Sequence, residues 1–315
     1  MTDPDLPLST SIIIPAFNEA TRLAEGFERL APTLERLDPS RTEVVVIDDG
    51  SSDATMARAH EVYGHLAHAQ FLQHPVNRGK GASIRLGFAV ARGERLITAD
   101  ADMSINPVHF PAILATLEQC PLAPGTRTEG RINHYDSVLR TAAAAAFNVI
   151  VRHYTGTTLR DTQCGCKGFE RASARLLGLL SMVDRFAFDA ELLYLARRLA
   201  LEVTPVHVTW RDVEGSSVRM GSDSVRMVLD IRAITHTRYV NPVVVLAPDV
   251  ALDAVTSAAR QARAYGLVLA RAEHDSLLVL ARDASLAGLG IAEVLGGTLR
   301  TVELDELVAR RYEAV

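Results

Sequence analysis

Short apolar runs alternate with amphipathic stretches along the first hundred residues. Ser11 and the apolar run 12–14 predict a short buried strand that ends at Pro15. Over 19–37, Leu23, Phe27, Leu30 and Leu34 recur at helical spacing and predict an amphipathic helix. A second apolar strand is expected at 43–47, closed by the polar run Asp48-Asp49-Gly50-Ser51-Ser52-Asp53, with Asp53 placed to cap a helix over 54–63. Residues 69–73 read as a third strand and 79–91 as a helix after a glycine-rich turn. A fourth strand at 95–99 runs into Asp100-Ala101-Asp102. Strands alternating with helices predict an α/β fold, a mostly parallel sheet with helices on both faces. In such sheets ligands bind outside the carboxyl ends of the strands. Every polar cluster just named falls there.

From 124 to 238 the pattern loosens. Helices are expected at 142–154 and 189–199, and a strand at 202–209 before Trp210. This half should complete the sheet and build the acceptor side of a cleft. Beyond Asn241 the character changes again. Strands at 243–246, 267–272, 276–281 and 299–302 alternate with helices at 251–265, at 284–295 and from Asp305. The hairpin crosses His274-Asp275, and the order β-α-β-β-α-β predicts a small ferredoxin-like α+β unit. The expected division is a large domain over 1–238 and an accessory domain over 239–315 that carries no catalytic cluster.

Composition narrows the chemistry. A chain of 315 residues suits one large domain plus a small one, and 48% hydrophobic with 23% charged residues is a soluble globular balance. The net charge of -5 argues against nucleic acid as the partner, because binding phosphates needs a basic surface. Three cysteines make no disulfide framework, and Cys120, Cys164 and Cys166 lack the fourth ligand of a structural zinc site. Cys164-Gly165-Cys166 therefore reads as a packed turn in a reducing, cytoplasmic compartment. The first ten residues lack the basic region and apolar run of a signal peptide, and no apolar stretch reaches the ~18 residues of a membrane span. The Ala-rich run 141–150, bracketed by Arg140 and Arg152, reads as a buried helix. Of 33 basic residues only two are lysines, Lys80 and Lys167, both in glycine-containing segments that point to phosphate contact.

Four segments carry the candidate chemistry. In Ile14-Pro15-Ala16-Phe17-Asn18-Glu19, Asn18 and Glu19 offer acceptors for ribose hydroxyls near a helix start; a plain helix cap reads equally well. In the 48–53 run, capping explains Asp53 but not the adjacent pair Asp48-Asp49, whose carboxylates can accept from a base or a ribose. Asp100-Ala101-Asp102 can place two carboxylates around one hard cation, with diphosphate oxygens completing the shell. Asn77-Arg78-Gly79-Lys80-Gly81 could bring Lys80 and backbone N–H groups near phosphates. It lacks the Walker spacing, and no Gly-x-Gly-x-x-Gly follows strand one, which disfavours an ATPase or a Rossmann dehydrogenase.

Taken in order, Ser11 to Glu19, Val46 to Asp53, Asn77 to Gly81 and Asp100 to Asp102 resemble glycosyltransferase family 2, whose catalytic domain has the GT-A nucleotide-diphospho-sugar transferase fold. Asp161-Thr162-Gln163-Cys164-Gly165-Cys166-Lys167-Gly168-Phe169, Arg185 to Leu193 and Trp210 to Ser216 narrow the likeness. They are similar to the dolichyl-phosphate β-glucosyltransferase branch, with polyprenyl-phosphate mannose synthases as neighbours. The resemblance implies that Pro15, Ala16, Asn18, Glu19, Asp48 and Asp49 line the nucleoside pocket. Lys80, Ala101 and Gln163 complete the donor set. Asp100, Asp102 and Ser104 would hold Mg²⁺ or Mn²⁺, and Arg127 and Arg140 would face the acceptor phosphate. Cys166 stands where that branch usually has Phe, and members often carry a membrane anchor that is not visible here. A lipid-linked acceptor would imply peripheral contact with the inner face of a membrane, and a homo-oligomer is compatible with the family.

Asp189 and Glu191 could supply a general base for a hydroxyl acceptor. Alternatively, Asp189 caps the helix that begins there and Glu191 pairs with an arginine. The expected activity is inverting, metal-dependent transfer of glucose from UDP-glucose to a polyprenyl phosphate, which as an anion needs no base. The alternatives are a GDP-mannose donor, a soluble hydroxyl acceptor, a sugar-nucleotide pyrophosphorylase, or a nucleotide-sugar-binding module without catalysis.

Overall fold

The computed structural model describes residues 7–127, 149–159, 161–199, 201–211, 229–232 and 234, and four strands beyond them. The chain divides into two compact units, Met1–Thr235 and His236–Val315.

The first unit opens with β1 (Thr10–Ala16), α1 (Leu23–Arg36), β2 (Thr42–Asp48), α2 (Thr55–Tyr63), β3 (Ala69–Gln73), α3 (Lys80–Val90) and β4 (Arg95–Thr98). A short 3₁₀ turn then leads into α4 (Phe110–Thr116), followed by β5 (Leu122–Arg127), β6 (Lys167–Glu170), α5 (Arg171–Leu180), α6 (Phe188–Arg198) and β7 (Val206–Val208). The seven strands lie in the order β3-β2-β1-β4-β6-β5-β7. Only β6 runs against its neighbours β4 and β5; the other pairings are parallel. The expected mostly parallel α/β sheet is present.

Alternating side chains of the buried strands explain the layers. Ile12, Ile14, Val44 and Val46 join Leu23, Leu30, Ala59 and Tyr63 in one core beneath α1 and α2. Ile13 and Ile47 point the other way, against α3. Each such aliphatic side chain, fully buried, contributes about 1.5–3 kcal/mol relative to exposure. Because β1 lies between β2 and β4, connections leave it in both directions, and a crevice forms at the carboxyl ends of these strands.

Several boundaries differ from the sequence reading. Pro15 does not end β1 but sits inside it, paired with Ile47. Odd positions of β1 bond toward β4, as when Ala99 donates to the Ile13 carbonyl, and the β4 ladder stops at Ile13. The missing N–H of Pro15 therefore costs no ladder bond. Helix α1 begins at Leu23, not Glu19; the N–H groups of Glu19 and Ala20 bond to Thr55 and Asp53 of the neighbouring loop. β5 and β6 were not expected: Pro124-Gly125 and the four-residue stretch Lys167–Glu170 carry no strand periodicity. The strand expected at 202–209 shortens to Val206–Val208. Of the helix expected at 142–154, only the part from 149 falls among the described residues, where 149–155 is helical. Among the described residues no helix is long and apolar enough to cross a membrane.

The second unit contributes β8 (Val243–Pro248), β9 (Val268–Arg271), β10 (Ser276–Ala281) and β11 (Arg300–Val302), in the order β11-β8-β10-β9 and antiparallel throughout. β10 thus separates β8 from β9, the split arrangement of a β-α-β-β-α-β sandwich. The helices expected at 251–265, at 284–295 and from Asp305 lie outside the described residues.

Candidate active site

Two loops leave the ends of β1 and β2 and hold each other. Asn18 adopts a left-handed conformation at φ 54°. Its N–H donates to the Ser51 hydroxyl at 2.9 Å, and its Oδ1 accepts from the Ser52 N–H at 3.0 Å. Asp53 does not take the cap position of α2, which is Ala54; its carboxylate accepts from the Ala20 and Thr55 N–H groups and ties the two loops together. Asp48 accepts from the Ser51 N–H at 3.0 Å and from Gln73 at 2.7 Å. Pro15 and Ala16 lie at the end of β1 beside Ile47 and Asp48. The residues named for the nucleoside pocket are therefore neighbours.

Asp49 has a specific structural task. Its carboxylate accepts from Asn77 Nδ2 at 2.9 Å, from the Arg78 N–H at 2.9 Å and from the Gly79 N–H at 2.7 Å. It pins the turn that starts α3. Gly79 stands at φ +110°, where a Cβ would meet the Asp184 carbonyl at 2.3 Å, so only glycine fits. That turn delivers Lys80, whose Nζ donates to Asp100 Oδ1 at 2.7 Å. Burial works against the Lys80 charge, but Asp100 and Asp189 outweigh it and raise its pKa. Burial likewise opposes ionisation of Asp100, and Lys80 reverses this and lowers its pKa.

Asp102 accepts from the Ser104 N–H at 2.9 Å, so Ser104 first shapes the turn around Asp102. Helix α1 lies directly on this strand end: a Cβ on Gly26 would meet the Ala101 carbonyl at 2.0 Å, and Arg29 donates to the Asp102 carbonyl at 3.0 Å. Burial and then repulsion from Asp100 raise the Asp102 pKa. Glu19 is pushed up to about 7, by burial first, with Asp102 and Asp100 adding to it against the pull of its partner Arg22. Glu19 and Asp102, raised by burial first and by neighbouring carboxylates after it, stand with Asp100 in one acidic group, and a hard cation would relieve that crowding. Among the described residues no three His, Cys, Asp or Glu side chains are placed to hold a metal by themselves. The pair fits a cation that takes the rest of its shell from oxygens of a bound ligand, as Mg²⁺ does with phosphates.

The far wall is built by the loop before β6. Arg127 grips Asp161 with both arms, Nε at 2.6 Å and Nη2 at 2.8 Å, and its guanidinium lies over the Trp210 ring at 5.5 Å. Gln163, one residue beyond Thr162, has a buried Nε2 with no hydrogen-bond partner among the described residues. Arg140 lies outside the described residues. Lys167 corrects one expectation: its ammonium is buried, donating to the Cys164 carbonyl and to Asp189 Oδ1 at 2.6 Å, rather than facing a phosphate. Asp189 does not cap α6, whose cap position is Ala187. Glu191, fully buried, accepts from the Met182 and Val183 N–H groups at 2.8 and 2.9 Å. Sequence reasoning missed Asp161 as the partner of Arg127, and Arg22 and Arg29 as supports of Asp102. None of these sits in a pattern that periodicity detects.

Residues 11–178 match the model of glycosyl transferase family 2. The dolichyl-phosphate beta-glucosyltransferase of Drosophila melanogaster is 36% identical over 228 residues, covering 67% of this chain and 69% of that one. The Homo sapiens enzyme of the same name is 34% identical over 227 residues, covering 66% and 69%. Among solved structures, glucosyl-3-phosphoglycerate synthase from Mycobacterium tuberculosis, in complex with Mn²⁺, UDP and glucosyl-3-phosphoglycerate, superposes with a TM-score of 0.53 at 19% identity. It covers 76% of this chain and 85% of that one. That likeness concerns the fold, which is GT-A. With the sheet order, the paired loops and the acidic end of β4 in place, the chain belongs to glycosyl transferase family 2.

Proposed function

We propose that this protein is an inverting glucosyltransferase that moves glucose from UDP-glucose to a dolichyl or other polyprenyl phosphate. The observation that carries it is the match to dolichyl-phosphate beta-glucosyltransferases over two thirds of the chain; the family match over residues 11–178 takes in Lys80, Asp100 and Asp102.

The chemistry needs few groups. A phosphate oxygen of the acceptor forms a bond to the anomeric carbon as the bond from that carbon to the UDP oxygen breaks. The electron pair leaves with UDP, and inversion turns the α-linked donor into a β-linked product. Asp102, with Asp100, would hold Mg²⁺ or Mn²⁺, which supplies neutralisation of the departing diphosphate. Lys80 keeps Asp100 ionised and adds a fixed positive charge beside it. Asn18, Asp48 and Glu19 would line the nucleoside pocket, and Asp49 shapes that pocket by holding 77–79. Arg127, oriented by Asp161, and Arg140 would attract the acceptor phosphate. The pairing of Asp189 with Lys167 and of Glu191 with backbone N–H groups supports attack by an acceptor that is already an anion. A lipid-linked acceptor implies peripheral contact of the protein with a membrane surface.

Thermal shift with UDP-glucose, GDP-mannose and other nucleotide sugars, each with and without Mn²⁺, tests the donor reading. Only a ligand that binds the native state raises the melting temperature. UDP-glucose with Mn²⁺ should give the largest rise; a larger rise with GDP-mannose would contradict the proposed donor.

A further inference from the structure

Behind the acidic site lies a second, fully internal charge pair that the transfer chemistry does not use. Lys167 is 1% exposed and Asp189 7% exposed, and they meet at 2.6 Å. An ion pair withdrawn from water this far adds little net stability, because desolvation offsets attraction. Its placement is informative. Lys167 opens β6 opposite Thr98, the last residue of β4. Its ammonium also holds the Cys164 carbonyl, fixing the turn Cys164-Gly165-Cys166 from behind. Thr98 Oγ1 donates to the Gly165 carbonyl at 3.0 Å and fixes the same turn from the side.

That turn presses on the site. A Cβ on Gly165 would lie 2.1 Å from Asp100 Oδ2 and 2.8 Å from Oδ1. The carboxylate of Asp100 is thus held between the Lys80 ammonium on one oxygen and the bare Gly165 backbone on the other. Only a residue without a side chain leaves room for this orientation. Gly165 has no left-handed backbone angle, so conformational freedom does not account for the glycine; the close approach does.

We infer that the buried Lys167–Asp189 pair and Gly165 form a positioning device for Asp100, setting the carboxylate for the cation and diphosphate of the donor. Lys167 and Asp189 are positioning residues, since neither touches the reacting atoms. The inference rests on the reading of Asp100 and Asp102 as the donor site.

The test is calorimetric binding of UDP with Mn²⁺, with the melting temperature recorded for every variant. Gly165→Ala and the double variant Lys167→Met/Asp189→Leu, which removes both charges together, are each made with Asp100 present and in an Asp100→Asn background. With Asp100 present, each change should weaken UDP–Mn²⁺ binding about tenfold, a coupling of ordinary size for groups in contact. In the Asp100→Asn background neither should weaken it further. A second side chain repeats the test: Gly165→Ser should behave like Gly165→Ala, because any Cβ displaces the carboxylate. Unchanged affinity with Asp100 present, or an equal loss in both backgrounds, overturns the inference. So does a fall in melting temperature without a fall in affinity. If the charge-free double variant does not fold, Gly165→Ala decides alone. Wild-type protein that binds UDP beside variants that bind equally well refutes only this inference; wild-type protein that binds no UDP refutes the donor reading with it.

Discussion

Lys80 donates to Asp100 across 2.7 Å, joining the first residue of α3 to the residue two beyond the end of β4. One contact thus ties together two segments that are twenty positions apart in the chain and lie on neighbouring loops of the crevice. The side chain of Asp100 keeps 36% of its surface open although protein atoms surround it, as expected of a group at the floor of a depression. Removing the ammonium should strip Asp100 of its nearest positive partner and leave only the weaker influence of Lys167 and Arg127. Lys80→Met is expected to raise the Asp100 pKa toward and above the ordinary carboxylate value. The loss of rate should then be greatest at low pH and partly recover as pH rises. A pH–rate profile identical in shape to that of the wild type would contradict this role.

Asp102 is supported from below by Arg29 and the Ser104 N–H, not by core packing. Asp102→Asn keeps the shape and removes the charge. We expect Mn²⁺-dependent UDP binding to disappear while the melting temperature stays nearly constant. Calorimetry in the presence and absence of Mn²⁺ reads the first quantity, and thermal unfolding the second. Metal-dependent binding of wild-type strength would refute the assignment of this carboxylate to the cation.

Arg127 and Asp161 share a two-armed ion pair, which lysine cannot reproduce. Arg127→Lys and Asp161→Asn should each raise the acceptor KM with little change in donor KM. The double variant should be no worse than the more damaging single one, because both remove the same contact. Independent, additive losses would show that the two residues do not act as a pair.

Much of this arrangement was legible from residue order alone. The apolar runs 12–14 and 44–47 and the acidic clusters that follow them pointed to both the parallel sheet and the side of it on which the candidate residues gather. What failed had a physical cause in each case. Lys167 looked like a phosphate ligand because lysine in a glycine-containing turn is usually solvated; only the fold brings Asp189 from α6 to bury it. β5 and β6 escaped detection because Pro124, Gly125 and Gly168 break the pattern; pairing of β6 with β4, and of β5 with β6 and β7, rather than local preference makes them strands. Asp49 looked like a nucleoside ligand on the strength of its place beside Asp48. Three donors from 77–79, a segment distant in sequence, give it a structural task as well.

Glu43 provides a control on the opposite end of the sheet. It is buried at the start of β2 and accepts from Ser11, Gln70 and Arg92. Burial opposes its charge, and these hydrogen bonds overcome it, so its pKa is lowered from 4.5. A carboxylate with a depressed folded pKa contributes stability above the unfolded value, and that contribution is lost as pH falls through the folded value. Glu43→Gln should therefore cost about 1–3 kcal/mol at neutral pH, and the difference from wild type should shrink below about pH 4.5. Denaturant unfolding at pH 7 and pH 4 checks it. A constant difference would show that the ionised form is not what the site stabilises.

Transfer of glucose to a lipid phosphate is tested by a direct transfer assay. Purified protein is incubated with Mn²⁺, UDP-[¹⁴C]glucose and dolichyl phosphate in detergent, and organic-phase label and product stereochemistry are read. The expected result is label in the organic phase as β-linked glucosyl phosphate, dependent on both the cation and the lipid phosphate, and absent with Asp102→Asn. Label that stays in water while UDP is released, or transfer to dolichol lacking its phosphate, would contradict it.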